Sequence, residues 1–118
     1  MLAAKNRLRN GVSFQKIKKE GIIIQSESFG IAYYERGDNL PPQFGFVISN
    51  KVAKNASQRN RIKRALRESV RQNISRMKNG YDVVFLAKSN IEKESTENIM
   101  TEAKKIIFNS EFYSKNNA

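Results

Sequence analysis

The sequence contains neither cysteine nor histidine. Without cysteine there can be no disulfide and no thiolate metal site, and without histidine the commonest general base and the commonest metal ligand are missing. Acidic residues are also few, eleven in all. Among them, Asp38, Glu68 and Asp82 do not form the converging carboxylate cluster that two-metal phosphoryl transfer needs. We therefore predict that the chain has no catalytic residue and no metal site of its own.

Long apolar segments are absent as well. No run approaches the roughly 18 apolar residues that a membrane span requires, and the N-terminal residues lack the apolar core of a signal peptide. The length of 118 residues and the seven phenylalanines suffice for one hydrophobic core. We expect one domain over residues 1–118, with its core at about 5–110 and a flexible tail at about 111–118. We expect the protein to be cytoplasmic and to have no membrane partner.

Positive charge is what the sequence has in excess. Lysine and arginine number 22 against 11 acidic residues, a net charge of +11. Residues 51–78 hold ten bases and a single acid, Glu68, whereas residues 92–118 hold five acids and four bases. A merely solvated helix face normally interleaves acids at a spacing of four, and those acids are missing here. The concentration of charge therefore favours a nucleic-acid partner.

The hydrophobic pattern predicts three helices and four strands in the order α-β-β-β-α-β-α, an α+β two-layer sandwich on one small mixed sheet. A short helix over 13–20 has Ser13 as its cap and Gly21 as its stop. Ser57 and Ser95 are the predicted caps of the two later helices. The remaining predicted elements are strands at 22–24, 29–35, 44–49 and 81–87 and helices at 58–78 and 95–109. In the second strand, alternation places Phe29, Ile31 and Tyr33 on one face and Gly30, Ala32 and Tyr34 on the other. The last strand is continuously apolar, which predicts burial on both faces.

The helix over 58–78 is amphipathic. Its apolar side consists of Ile62, Ala65, Leu66, Val70 and Met77, and its opposite side of Asn60, Arg64, Arg67 and Arg71. A helix N-terminus already favours phosphate, and arginine adds bidentate phosphate contacts. Asn60 could contact a base edge or a 2′-hydroxyl, or it could orient the arginines. The pattern indicates RNA or DNA without choosing between them.

Several segments together resemble the bacterial ribonuclease P protein family. The signature-like part is Arg59-Asn60-Arg61, followed by Ile62-Lys63-Arg64 and Arg67-Glu68. The flanking parts are Asn6-Arg7-Leu8 with Phe14, Ile17 and Gly21; the strand Gly45–Ser49 followed by Lys51; and Tyr81–Ala87 followed by Lys88. The resemblance covers residues 5–110 approximately. An Arg-Asn-Arg triplet alone is weak evidence, but with these flanks and spacings it is specific.

The resemblance implies a four-stranded sheet with three helices and a cleft between the first helix and the sheet. It also implies a left-handed crossover between the third and fourth strands, against the general preference for right-handed ones. The implied function is that of an RNA-binding subunit that assists a catalytic RNA in removing the 5′ leader of precursor tRNA. The implied partners are the ribonuclease P RNA and precursor tRNA, with Mg²⁺ held mainly by the RNA and no DNA partner.

The resemblance also assigns two sets of binding residues. The RNA-binding set is Arg7, Lys51, Lys54, Arg59, Asn60, Arg61, Lys63, Arg64 and Arg67. The leader-binding cleft is Phe14, Ile17, Lys18 and Tyr34. Single-stranded RNA is commonly bound by aromatic side chains beside a basic groove. Phe14 and Ile17, Ile17 above all, could instead be core residues that anchor the first helix. The chain departs from many members at Asn50, where a lysine is common, and at Lys18, where an aromatic residue is common.

Two other classes of protein remain compatible with the charge pattern. One is a ribosomal-type structural RNA-binding protein without an enzymatic partner. The other is a helix-based DNA regulator, but the arginine-rich helix lacks the preceding helix and tight turn that such a regulator uses.

Overall fold

The computed structural model describes residues 2–8 and 11–114, with only the backbone at 11–14. Its helices and strands within these ranges follow the predicted order. The elements are α1 (Gly11–Glu20), β1 (Ile22–Gln25), β2 (Phe29–Glu35), β3 (Gln43–Val47), α2 (Ala56–Asn73), β4 (Tyr81–Ala87) and α3 (Thr96–Phe108). Short 3-10 turns occur at Ala4–Asn6, Ile74–Arg76 and Ser89–Lys93.

The four strands form one mixed sheet in the order β1-β2-β4-β3. β1 and β2 form an antiparallel hairpin, and β2 is also antiparallel to β4, with Ile31 opposite Phe85. β3 runs parallel to β4, with Phe46 opposite Phe85 on its other side. The predicted α+β architecture with a mixed four-stranded sheet is therefore confirmed. α2 connects the two parallel strands, and the left-handed sense of this crossover stays a prediction from the resemblance.

The alternation along β2 assigns the two faces of the sheet. Phe29, Ile31 and Tyr33 point into the main core, which α2 and α3 cover. Ala32 points the other way, into a smaller cluster with Ile17 of α1. Both sets match the predicted faces. β4, predicted to be buried on both sides, is buried from Tyr81 to Phe85 and so separates the two clusters.

The ends of α2 differ from the prediction. Asn55, not Ser57, is the N-cap: its Oδ1 accepts a hydrogen bond from the Ser57 backbone N–H at 2.8 Å. Asn55 has the extended backbone that a cap requires, while Ser57 is already inside the helix. The helix also ends at Asn73 instead of residue 78, because the chain tightens into a 3-10 turn. The predicted Ser95 cap of α3 is confirmed, since its side chain accepts from the Asn98 N–H.

The segment after α3 is part of the fold. Phe112 is fully buried, with its ring 5.4 Å from that of Tyr33 and 6.3 Å from that of Tyr81. The Lys78 N–H donates to the Phe112 carbonyl at 2.8 Å, which attaches the segment to the end of the α2 connection. The expectation of a flexible tail from about residue 111 is therefore wrong for residues 111–114, because an aromatic side chain beyond the last helix completes the core.

Candidate nucleic-acid interface

α2 carries six of the 22 basic side chains, and its packing fixes where they point. Ile62 and Leu66 are fully buried in the main core, so the opposite side of the helix faces solvent. We call that side the arginine ridge: Asn60, Arg64, Arg67 and Arg71. Arg67 is half-buried and the other three are exposed. The structure thus brings the predicted face of α2 to the surface, with Asn60 and the three arginines along one side of the helix and Glu68 paired to Arg71.

Arg59 has a role within the fold that the sequence did not reveal. Its Nη1 donates to the carbonyl oxygens of Ala53 and Lys54, both at 2.8 Å. These carbonyls belong to the loop over residues 48–55 that enters α2. Arg59 therefore holds this loop against the helix. Lys51 and Lys54 lie on the same loop, and both are exposed.

Arg61 points away from the ridge toward α3. Its Nη1 donates to Thr96 Oγ1 and its Nη2 to the Glu92 carbonyl, each at 3.2 Å, while Nε donates to Gln58 Oε1 at 2.9 Å. The guanidinium connects α2 to the start of α3. Of the two arginines in the Arg-Asn-Arg triplet, neither is a free surface cation, whereas Asn60 between them is exposed.

The N-terminal segment brings Arg7 to the other flank of α2. Leu8 N–H donates to the Phe44 carbonyl at 2.9 Å, so the segment runs along the β3 edge of the sheet. Arg7, Lys63 and Arg67 line a pocket of about 200 Å³ there. Three cations around one pocket repel one another unless an anion lies between them, and arginine matches phosphate geometry well. Three residues of the predicted RNA-binding set therefore converge.

Asn6 is a positioning residue for this pocket that sequence reasoning did not assign to the site. It is buried, and its Nδ2 donates to the Pro42 carbonyl at 2.8 Å. Arg7 itself donates from Nε to the Leu2 carbonyl at 2.9 Å. The signal that could have found it was its place in the Asn6-Arg7-Leu8 segment of the family resemblance. These two bonds fix the segment that presents Arg7.

The cleft between α1 and the sheet is an apolar groove of about 320 Å³. Ile17 forms part of its floor and is 1% exposed, packed with Ala32 and Val84. Lys18 lines the rim and is exposed. Ile17 is thus primarily a core residue, the alternative considered above, while still lining the groove.

The other two predicted cleft residues are placed differently. Tyr34 is half-buried beside the same cluster, outside the groove lining, and Lys16 Nζ lies 5.1 Å from its ring centre. The side chain of Phe14 lies outside the described residues. The structure therefore brings Ile17 and Lys18 together at the groove and puts Tyr34 next to it.

The carboxylates considered above all have arginine partners. Arg36 Nη1 contacts Asp82 Oδ1 at 2.5 Å and its Nη2 contacts Asp38 Oδ1 at 3.1 Å. Glu68 is bonded to Arg71 one turn later. The hydrogen bonds from Arg36 and Arg71 lower the pKa of Asp38 and of Glu68 respectively. Among the described residues, no group of three or more acidic side chains could hold a metal ion, and no helix is long and apolar enough to cross a membrane.

The mixed sheet, the arginine ridge and the adjoining basic pocket define a small basic α+β protein that binds nucleic acid. A family model described as Ribonuclease P matches residues 2–111. The ribonuclease P protein component of Fusobacterium nucleatum is 33% identical over 112 residues, covering 89% of this chain and 96% of that protein. That of Alkaliphilus oremlandii is 38% identical over 88 residues, covering 75% of each. The chain belongs to the ribonuclease P protein family.

Solved structures agree on the fold. The ribonuclease P protein of Staphylococcus aureus superposes with a TM-score of 0.85 at 23% identity, covering 92% of this chain and 98% of that one. The protein of Thermotoga maritima gives a TM-score of 0.78 at 26% identity, covering 89% and 97%. Together with the sequence relatives, this makes the chain an RNA-binding subunit of ribonuclease P and disfavours the ribosomal-type alternative.

Proposed function

We propose that this chain helps a catalytic RNA to remove the 5′ leader from precursor tRNA, with the RNA performing the chemistry. The observation that carries the proposal is a pair of unlike surfaces on opposite faces of one sheet. The α2 face is cationic and exposed along the arginine ridge, whereas the α1 face has an apolar groove with Lys18 on its rim. One surface suits the backbone of a folded RNA and the other suits an extended single strand.

The arginine ridge is proposed to bind the ribonuclease P RNA. Arg64 and Arg67 would contact phosphates, and Lys63 and Arg7 would do so on the β3 flank. Asn60 would reach a base edge or a 2′-hydroxyl, which is how proteins distinguish RNA from DNA. A DNA regulator is less well supported, since α2 follows strand β3 through the loop over 48–55 and has no preceding helix of a helix-turn-helix unit.

The α1 groove is proposed to bind the leader of precursor tRNA. Ile17 would support its floor from below, and Lys18 would contact a leader phosphate at the rim. Phe14 would provide stacking area near the start of α1, with Tyr34 beside the groove. Stacking of a base on an aromatic side chain contributes roughly 1–3 kcal/mol, enough to distinguish a substrate with a leader from one without.

The protein's contribution to cleavage is proposed to be binding and charge. A net charge of +11 offsets the repulsion between two folded RNAs and so reduces the Mg²⁺ that they need. The Mg²⁺ ions of the reaction would be held mainly by the RNA. A role in the maturation of tRNA 5′ ends would place the protein in the cytoplasm.

Reconstitution with the cognate catalytic RNA tests the proposal. Cleavage of precursor tRNA is followed over a Mg²⁺ titration with and without protein. We expect the protein to lower the Mg²⁺ concentration at half-maximal rate, and we expect protein alone, with an inhibitor of contaminating ribonucleases, to release no leader. Release of the leader at the correct position by RNA-free protein would overturn the division of labour, and an unchanged Mg²⁺ requirement would overturn the proposed assistance.

A further inference from the structure

A second cavity adjoins the arginine ridge on the flank away from Arg7. It lies between α2 and α3, and we call it the α2–α3 groove. Its volume is about 550 Å³, against about 320 Å³ for the apolar groove under α1. Asn60, Arg64 and Ala65 line it from α2, and Thr96 and Met100 from α3. Sites of roughly 300–1,000 Å³ are the size that binds small organic groups, so the groove is large enough for one nucleotide.

The lining combines an apolar floor with a polar rim. Ala65 is buried and Met100 is half-buried against the main core, so both present carbon and sulfur surface to the groove. Asn60, Arg64 and Thr96 are exposed around them. An unstacked nucleobase has this same division, with apolar faces and hydrogen-bonding edges. The lining therefore matches a base in the groove and a phosphate at its rim.

Arg61 lines the groove and connects its two sides. Arg61 bridges α2 to Thr96 Oγ1 and to the Glu92 carbonyl, each at 3.2 Å. These bonds fix the start of α3 relative to α2. The charge around the groove is also positive overall, because Glu68, the acid in its lining, is bonded to Arg71. A preformed site loses less entropy on binding than one that must be ordered.

Both flanks of α2 carry cationic side chains that could contact RNA phosphates. Arg7, Lys63 and Arg67 converge on one flank, and Arg64 lies on the other, at the rim of the α2–α3 groove. A flat duplex backbone would reach the ridge but would not enter a groove between two helices. A partner that reaches both flanks must wrap around α2, and a folded RNA with extruded nucleotides has that shape.

We propose that the α2–α3 groove binds one unpaired nucleotide of the RNA partner, with its base over Ala65 and Met100 and its phosphate on Arg64. The proposal rests on the proposed function, in which the partner is a structured catalytic RNA. It adds a site on α3, which the resemblance did not include in the RNA-binding surface.

A pair of charge-matched variants tests the site. Thr96→Glu puts a carboxylate at the groove rim, while Thr101→Glu makes the same change on the same helix, at an exposed residue that does not line the groove. A glutamate in the first turn of a helix does not oppose the helix dipole, and melting temperatures check that both variants fold. We expect Thr96→Glu to bind the cognate catalytic RNA at least about fivefold more weakly than Thr101→Glu, the lower end expected for one stacked base.

The outcomes separate the two proposals. Equal affinities for Thr96→Glu and Thr101→Glu, with tight binding by the wild-type protein, would overturn the groove site alone. Failure of the wild-type protein to bind the catalytic RNA would instead refute the proposed function. Both measurements come from the same titration.

A crosslinking experiment identifies the occupant. Because the chain has no cysteine, Met100→Cys gives a unique attachment point for a photoreactive thiol reagent, with Thr101→Cys as the control. We expect Met100→Cys to crosslink to one short unpaired segment of the catalytic RNA. Crosslinks confined to base-paired nucleotides, or a yield no higher than that of the control, would overturn the proposal.

Discussion

The two faces of the sheet differ in how much they bury. Among the residues whose side chains the structure describes, the face covered by α2 and α3 holds twenty buried residues in one cluster, while the α1 face holds four: Leu8, Ile17, Ala32 and Val84. The thick face therefore gives the arginine ridge a rigid support, because α2 is anchored along its length. The thin face leaves an apolar groove that α1 covers only in part. One small domain can therefore present a fixed cationic surface and an open apolar surface without a second core.

The largest effect on stability is expected for substitution of Phe112, which completes the core on the face covered by α2 and α3. Phe112→Ala removes a fully buried ring, and we expect a loss of about 3–5 kcal/mol in the free energy of unfolding, as for other buried phenylalanines. Phe108→Ala is the matched control, because Phe108 is 49% exposed and should cost about 1 kcal/mol. Denaturant titrations measure both. A loss in Phe112→Ala as small as the one expected for Phe108→Ala would mean that the segment after α3 does not support the core.

On the thin face, Ile17→Ala is expected to lower stability by about 2–5 kcal/mol, since Ile17 is almost completely buried. The loss should lie toward the lower end of this range, because only a small cluster of buried residues would surround the cavity that the substitution creates. Urea unfolding in the absence of RNA provides the measurement. A loss below about 1 kcal/mol would contradict the assignment of Ile17 to the core and return it to the cleft surface.

Substitution of Phe14 tests whether this residue belongs to a binding surface or to the core on the α1 face. If it lines the leader groove, Phe14→Ala should weaken binding of leader-bearing precursor tRNA by about 1–3 kcal/mol, or roughly five- to 150-fold. We expect the lower end, because Lys18 stands where many members have a second aromatic residue. Affinity for mature tRNA and the melting temperature should hardly change. Equal losses for both substrates with a lower melting temperature would make Phe14 a core anchor instead.

The sequence predicted most of the fold because the decisive patterns are local. Alternation along β2 assigned Ile31 and Ala32 to opposite faces, and the 3.6-residue spacing in α2 separated Ile62 from Arg64. The predicted N-cap of α2 was wrong because Asn55 and Ser57 are both good capping residues, and the backbone dihedral angles decide which of them caps the helix. The prediction of a flexible tail from about residue 111 was wrong for residues 111–114 because Phe112 lies outside any periodic pattern, and a single aromatic residue gives no local signal of burial.

The site was predictable as a region and not in its contacts. Charge density located the arginine ridge, since ten bases in residues 51–78 need no tertiary information to count. The partners of Arg61, in contrast, come from residues 92 and 96, which only folding brings close. The contacts of Arg59 with the loop carbonyls are local, but sequence does not specify a side chain's direction. The arginines of the family signature therefore include residues that make contacts within the fold, such as Arg59 and Arg61, and exposed surface residues such as Arg64.

That distinction yields a prediction for the ridge. Arg64→Ala should weaken binding of the catalytic RNA and reduce the log–log salt slope by about one, the value for one phosphate contact. Stability should be unchanged because Arg64 is exposed. Lys105→Ala, an exposed cation on α3, removes the same charge elsewhere and should leave the slope unaltered. Arg59→Ala should lower stability as well, because the Ala53 and Lys54 carbonyls lose their donor. An equal slope change in Lys105→Ala would mean that only net charge matters.

The smallest effect is expected at the rim of the groove under α1. Lys18→Ala removes one cation from an exposed position, so the loss should be a few-fold in affinity for leader-bearing precursor tRNA, in line with exposed charge contacts of up to about 1 kcal/mol. The loss should disappear as salt is raised, because screening acts on an exposed contact, whereas the effect of Phe14→Ala should persist. Lys19→Ala is the matched control, since Lys19 is the next residue of α1, equally charged and exposed, and does not line the groove. Binding is measured at two salt concentrations with leader-bearing and leaderless substrates. If Lys18→Ala and Lys19→Ala behave alike, the helix attracts the leader through its general charge, and the groove itself makes no specific phosphate contact at Lys18.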